Sequence, residues 1–363
     1  MERLVQRFSM EESVHEPILS REQNIAAYAR HRQDPSAPFS NLPLTLQVEL
    51  TRDCNLRCRK CNRTYWPQDD TCMSEELLEA TLDLARTTRN IFPFGFGESL
   101  LFPGVAEAVG RFKALGNQVA LLSNGMMLDQ KMIEAFIVNG LDGVGVSLDA
   151  ATPERLAQIR KGADFNRITN NIMTLNQIKK SLNVTHPLLG LNVVVENCNF
   201  LDLPSIFDMA ERWSVHFINL TPMAAPDHLD EREIEKPGPL EEVREVLDIC
   251  HQKAGKSGIH MNMEELRLML EKTPPSSVYQ SAVSCPEPIH IMCIGAGGDL
   301  YPCCRWDQKK PFGRFPNMDL KKAWMSEAWV RLRKDIQQGS YPSACIRCMD
   351  HFSRPRGDSN LIG

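Results

Sequence analysis

Three thiols stand together early in the chain. Cys54, Cys58 and Cys61 fall in the run Arg52-Asp53-Cys54-Asn55-Leu56-Arg57-Cys58-Arg59-Lys60-Cys61-Asn62, with the spacing C-x3-C-x2-C. Three thiolates can bind three irons of a cubane iron–sulfur cluster and leave the fourth iron without a protein ligand. An iron left open in this way can take a substrate or cofactor, as the open position of a catalytic metal does. Structural zinc normally closes its coordination with a fourth Cys or His. Cys72 is the nearest such residue, so zinc is the alternative reading of this loop.

A second group of thiols lies near the C-terminus. It comprises Cys285, the pair Cys303-Cys304 after Gly298-Asp299-Leu300-Tyr301-Pro302, and the C-x-x-C pair Cys345 and Cys348. Gly298 and the prolines beside these cysteines favour tight turns, which hold thiolates in fixed places. The residues by themselves suit zinc or an iron–sulfur cluster equally. Twelve cysteines grouped in this manner point to metal binding in a reducing compartment rather than to disulfides. The N-terminus carries no apolar signal-like stretch, and no apolar run is long enough to cross a bilayer. A cytoplasmic protein without a membrane partner is therefore expected. A net charge of −5 argues against nucleic acid as a partner.

The elements that must position these thiols read as an alternation. Candidate strands are 45–50, 91–95, 118–123, 143–148, 190–195 and 217–221. Candidate helices are 20–32, 74–88, 105–115, 129–139, 153–160, 165–182, 203–213 and 240–253. Ser20 is placed to cap the first helix. Strands such as Leu191-Asn192-Val193-Val194-Val195 are nearly continuous apolar runs, as a parallel sheet covered on both faces requires. Six such units predict an α/β fold, a partial (β/α)6 TIM-like barrel, whose active residues sit at the C-terminal ends of the strands. The chain divides into a preamble (1–42), the barrel (43–235), a connecting α/β segment (236–284), a cysteine-rich region of short segments and turns (285–352) and a polar tail (353–363).

The loop of Cys54, Cys58 and Cys61 resembles the signature of the radical S-adenosylmethionine (radical SAM) enzymes. The resemblance implies a [4Fe–4S] cluster whose open iron chelates SAM, reductive cleavage of SAM to a 5′-deoxyadenosyl radical, and hydrogen abstraction from a substrate carbon. Lys60 departs from the pattern, because many members carry an aromatic residue just before the last cysteine. Gly95-Phe96-Gly97-Glu98-Ser99 is similar to the family's G-x-G-E-P segment, with Ser99 in place of proline, and implies contact with the methionine amino group through Gly95, Gly97 and Glu98. Ser123-Asn124-Gly125 is similar to its T-N-G turn. Ser147 and Asp149 fall where members reach the ribose hydroxyls, and Arg160 where some contact the SAM carboxylate. Asn197 is a further SAM candidate, and Glu196 a candidate substrate contact or base. Each of these also reads as an ordinary turn or surface residue; their order along residues 43–230 is what makes the set specific.

The C-terminal cysteines resemble the SPASM/Twitch extension of radical SAM enzymes. No cysteine follows Cys348, as in the shorter Twitch form. The resemblance implies one auxiliary [4Fe–4S] cluster on Cys285, Cys303, Cys345 and Cys348. Cys304 could replace Cys303 as ligand, or face the barrel mouth as a hydrogen-atom donor. Cys72, Cys198, Cys250 and Cys293 read as inert thiols. The reaction expected is oxidation of a small polar substrate of the sugar or aminocyclitol type, by a dehydrogenase that passes an electron to the auxiliary cluster. Radical epimerisation and modification of a ribosomal peptide are the alternatives, with a non-enzymatic metal scaffold as a fourth. Some forty residues before the barrel are too few for a peptide-leader-binding domain. A flavodoxin- or ferredoxin-type electron donor is implied as partner. Arg160, Glu196 and His228 are the charged candidates at the barrel mouth.

Overall fold

The computed structural model describes residues 19–65, 71–222, 240–262 and 285–346. Six parallel strands follow one another in chain order, each hydrogen-bonded to the next: β1 (Thr45–Val48), β2 (Asn90–Phe92), β3 (Gln118–Ser123), β4 (Gly143–Ser147), β5 (Leu188–Val195) and β6 (Phe217–Pro222). Helices α3 (Glu75–Ala85), α4 (Val105–Ala114), α5 (Gln130–Val138), α6 (Pro153–Ile159) with α7 (Phe165–Leu182), and α8 (Leu203–Arg212) connect them. They are preceded by α1 (Arg21–Gln33) and α2 (Asn62–Tyr65) and followed by α9 (Leu240–Ser257). The fold is the expected partial (β/α)6 TIM-like barrel.

Local chemistry explains the element starts. Ser74, Asp129, Thr152 and Asp164 each accept a backbone N–H from the first turn of α3, α5, α6 and α7. The strands alternate or run apolar, and Leu46, Val48, Ile91, Val144, Leu191 and Leu220 have no measurable exposure. Burying each such side chain contributes roughly 1.5–3 kcal/mol. Glycine shapes β4: a Cβ at Gly145 would meet Leu122 Cδ2 at 2.5 Å.

The sheet extends beyond the six strands. β7 (His260–Met261) pairs parallel with β6, and β8 (Ile291–Ile294) pairs parallel with β1, setting Thr45 opposite Ile291 and Val48 opposite Ile294. Then β9 (Asp299–Tyr301) and β10 (Gly313–Arg314) return antiparallel, giving ten strands in one sheet. Because β8 runs parallel with β1, its C-terminal end emerges at the same end of the barrel as the cysteine loop. Helices Leu320–Trp324 and Glu327–Gln337 occupy a stretch whose sequence suggests only short segments and turns. Trp324 and Trp329, fully buried with rings 5.3 Å apart, anchor them. The early residues are woven into the same body: Arg21 donates to the carbonyls of Thr88, Leu115 and Gly116, and Trp324 Nε1 donates to Asn41 O at 2.7 Å. Among the described residues no helix is long and apolar enough to cross a membrane.

Candidate active site

The cysteine loop leaves the C-terminal end of β1 and has little regular structure of its own until α2. Side chains and neighbouring loops hold it instead. Asp53 Oδ1 accepts the Cys54 N–H at 2.7 Å, and Asp53 O accepts the Glu98 N–H at 2.7 Å. The N–H groups of Arg57 and Arg59 donate to the carbonyls of Lys161 and Ile159, at the C-terminal end of α6. Thr64 Oγ1 donates to Cys58 O at 2.9 Å, and Asn124 Nδ2 donates to Asn55 Oδ1 at 2.8 Å. A loop fastened to the ends of β2 and β3 and to the end of α6 presents its thiols in fixed positions.

Cys54, Cys58 and Cys61 are half-buried, form no disulfide and line one cavity of about 420 Å³ at the barrel mouth. That volume lies in the range of sites for drug-sized ligands. Burial pushes the Cys58 thiol up to about 11, partly offset by the Arg160 charge, and it raises the Cys54 thiol as well. Such thiols ionise when a metal ion takes the thiolate. Among the described residues no three His, Cys, Asp or Glu side chains converge as on a single ion. A cubane does not ask for that, because its thiolates bind separate irons. The donor set therefore fits a cluster better than zinc.

The cavity wall gathers most of the other expected residues: Gly95, Gly97, Glu98, Ser123, Asn124, Ser147, Asp149, Arg160 and Glu196. Several are already engaged. Glu98 is 3% exposed; its Oε1 accepts from Ser123 Oγ at 2.8 Å and its Oε2 from Asn124 N at 2.7 Å. Burial raises its carboxyl, while these bonds pull it back. Asp149 takes the Val194 N–H on Oδ1 and Arg160 Nε on Oδ2, at 2.8 and 2.7 Å. Asp149 and then the thiols of Cys58 and Cys61 hold Arg160 charged against its burial. Gly95 and Gly97 have a packing role too: a Cβ on Gly95 would lie 2.6 Å from Glu49 Cβ, and one on Gly97 2.7 Å from Asp53 O.

Asn197 is not brought to the cavity; it is exposed. The buried asparagine of that turn is Asn199, whose side chain closes it by bonding Glu196 N, Asp149 O and Val194 O. Glu196 itself is 3% exposed and pairs with Lys60 inside the cavity wall. Glu49 also lines the wall, accepting the N–H groups of Phe96 and Ala296 and pairing with Arg52 at 3.2 Å. The sequence signals it only as a carboxylate inside the apolar run 44–50.

The C-terminal region closes the cavity from the other side with Cys293, Gly295, Tyr301, Cys304 and Gln308. Cys304 thus faces the barrel mouth. Cys303 does not line this cavity; its thiol is pushed well up by burial and by the nearby Cys304, Glu287 and Cys285. Cys293, read from sequence as an inert thiol, stands in the wall. Cys345 is half-buried and lies outside the cavity; Cys348 and His228 lie outside the described residues. Cys72 donates to Thr51 Oγ1 and Cys198 to Glu196 Oε2, each at 3.3 Å, and Cys250 is fully buried.

Comparison with known proteins bears on the family and the fold. The family model of the radical SAM superfamily matches residues 48–203, and that of the SPASM iron–sulfur cluster-binding domain matches residues 285–349. A tungsten-containing aldehyde ferredoxin oxidoreductase cofactor-modifying protein of Pyrococcus furiosus is 24% identical over 84% of this chain and 86% of its own. A probable GTP 3′,8-cyclase of Methanocaldococcus jannaschii is 29% identical over 45% of this chain, which spans about half (54%) of the cyclase. Among solved structures, Streptococcus suis SuiB bound to S-adenosylmethionine superimposes with a TM-score of 0.63 at 12% identity, covering 86% of this chain and 72% of that one. Native anSMEcpe with bound AdoMet and the Cp18Cys peptide gives 0.60 at 16% identity, covering 86% and 88%. Residues 48–203 thus form a radical SAM superfamily domain, which binds a [4Fe–4S] cluster and SAM, and residues 285–349 a SPASM domain for auxiliary iron–sulfur.

Proposed function

We propose that the protein is a radical SAM dehydrogenase that oxidises a carbinol carbon of a small polar substrate, of the sugar or aminocyclitol type, with one auxiliary [4Fe–4S] cluster as electron acceptor. One observation carries this reading: a single cavity touches Cys54, Cys58 and Cys61 on one side and Cys293 and Cys304, next to Cys303, on the other. A substrate held there lies between both groups of thiols. Cys285, Cys303, Cys345 and Cys348 would hold the auxiliary cluster, and Cys54, Cys58 and Cys61 the first one.

Held by Cys54, Cys58 and Cys61, a cluster with bound SAM and a flavodoxin- or ferredoxin-type donor would supply the hydrogen-abstracting radical chemistry, taking one hydrogen atom from the carbinol carbon. The hydroxyl on that carbon then becomes acidic, and Glu196 accepts its proton. An auxiliary cluster on Cys285, Cys303, Cys345 and Cys348 would take the remaining electron as the C=O bond forms. The substrate thereby loses two hydrogens, one as an atom and one as a proton with an electron. Lys60 fixes the Glu196 carboxylate in place through their ion pair. Leu56, Phe94, Phe96 and Val194 line the same space and keep water from the radical.

Cys304 favours a second reading, because it lines the cavity. In a redox-neutral epimerase Cys304 would return a hydrogen atom to the opposite face of the carbon. The low-potential donor and solvent would then restore the thiol with one electron and one proton. The Pyrococcus furiosus cofactor-modifying relative and the peptide-bound neighbour widen the substrates to be tried. The test is incubation of reduced, reconstituted protein with SAM and aminocyclitols, sugar nucleotides, cofactor precursors or short peptides, in heavy water. Deoxyadenosine with a product lighter by two hydrogens supports dehydrogenation. A product of unchanged formula that gains one deuterium overturns it in favour of epimerisation.

A further inference from the structure

A buried cation and the first thiol-bearing residue of the C-terminal region, Cys285, line one small cavity. Arg333, on helix Glu327–Gln337, is 6% exposed. Its Nε donates to Pro288 O at 2.8 Å, in the short helix that starts two residues after Cys285. The guanidinium is held between the rings of Phe39 and Trp324, its carbon 3.9 and 4.2 Å from their centres. Both Nη atoms are buried and have no hydrogen-bond partner among the described residues. They belong to a residue that, with Cys285, lines a small cavity of about 30 Å³, roughly the space of one water. His31 and Arg32 of α1 line the same cavity, and among the described residues no carboxylate does.

A guanidinium with two unbonded nitrogens in an apolar clamp is costly unless negative charge lies close by. Among the described residues the wall offers one source of it, Cys285, once its thiolate binds iron. A cluster held by thiolates is anionic and gains one further negative charge on reduction. A fixed cation nearby favours the reduced form. We propose that Arg333 is the charge partner of the auxiliary cluster, fastening the turn that carries Cys285 and raising the reduction potential of the cluster so that it accepts the substrate's electron. This rests on the assignment of Cys285 as a ligand of that cluster. Arg333 acts through the cluster and is a positioning residue.

The experiment uses the full chain carrying Cys54→Ala, Cys58→Ala and Cys61→Ala, so that only the auxiliary cluster gives a signal. Its midpoint is read by EPR-monitored redox titration, alongside iron content. Arg333→Gln keeps a donor for Pro288 O and removes the charge; Arg333→Lys keeps the charge. The expected result is unchanged iron in both. At a fixed potential the ratio of reduced to oxidised cluster should fall about tenfold in Arg333→Gln, the scale of one partly screened charge, and stay near the parent value in Arg333→Lys. Unchanged iron with an unchanged midpoint in Arg333→Gln overturns the proposal. If Arg333→Gln loses its iron, Arg333→Lys decides: the parent midpoint supports a role for charge, and a displaced midpoint or lost iron overturns it. Cys285→Ala with full iron would instead remove the ligand assignment beneath it.

Discussion

Lys60 occupies the position before Cys61 where many radical SAM relatives have an aromatic side chain, and here it turns its charge onto Glu196. If Glu196 is the base, Glu196→Gln should slow product formation by roughly 10²–10⁴-fold, while SAM cleavage continues and becomes uncoupled from product. Quantifying product and deoxyadenosine in the same single-turnover samples checks this. Equal loss of both would assign Glu196 to SAM binding instead. Gly97 makes a second prediction at this scale. In Gly97→Ala the new Cβ would lie 2.7 Å from Asp53 O and 2.8 Å from the Thr51 carbonyl carbon. Backbone cannot swing aside as a side chain can, so a cost of about 1–3 kcal/mol falls on the cysteine loop. Reconstituted iron should drop from about eight to about four per chain, as two cubanes become one; an unchanged iron count would show that the loop adapts. The glycines are legible in the sequence as a motif, but their reason is only half legible. The sequence suggests close approach of a ligand, and the structure adds close approach of Glu49 and the cysteine loop. Asn197 shows the opposite limit: two asparagines stand in one turn, and only the fold decides that Asn199 is the buried one.

The strands and helices of the barrel were readable because each announces itself locally. Apolar runs mark β1 to β6, and Ser74, Asp129, Thr152 and Asp164 mark helix starts, so that β3 and α7 agree with the sequence reading at both ends. β8 is not readable in this way. Four apolar residues among cysteines and prolines carry no period, and their partner β1 lies more than two hundred residues earlier. The helix Glu327–Gln337 does carry a signal, with Trp329, Leu332, Arg333 and Ile336 buried at helical spacing, but the neighbouring cysteines draw attention away from it. α1 reads as a helix, and what it does depends on the fold. Its Asn24 is fully buried, donates to Thr87 O at 2.9 Å and accepts the Leu42 N–H at 2.7 Å. Asn24→Ala leaves both groups without these bonds, at roughly 1–3 kcal/mol for each. Urea unfolding of the variant should show a lower midpoint with an unchanged slope, and folded variant should keep its SAM cleavage. A midpoint equal to that of the parent would mean that α1 only lies on the barrel.

At the scale of the whole molecule, the two cysteine regions share one sheet. β8 covers the edge of β1, the strand from which the first cysteine loop springs, and Leu44 N donates to His290 O at 2.8 Å just before the two strands begin to pair. Glu49 accepts N–H groups from Phe96 on one side and Ala296 on the other, so one carboxylate joins the SAM-side loop to the C-terminal turn. Trp324 and Gln337 reach back to the carbonyls of Asn41 and Pro35. These contacts argue that the region from residue 285 onward is part of the barrel's stability rather than an appended module. A chain ending at residue 284 would expose the β1 edge, a template for pairing with other chains, together with the apolar surface that Trp324 and Trp329 cover. Compared without clusters in either chain, the full protein should unfold in one transition, and the truncated one should aggregate or melt without cooperativity. A truncated chain that stays soluble, monomeric and cooperative would make the barrel an independent domain. The link through Glu49 would then be only a contact between two bodies that fold separately.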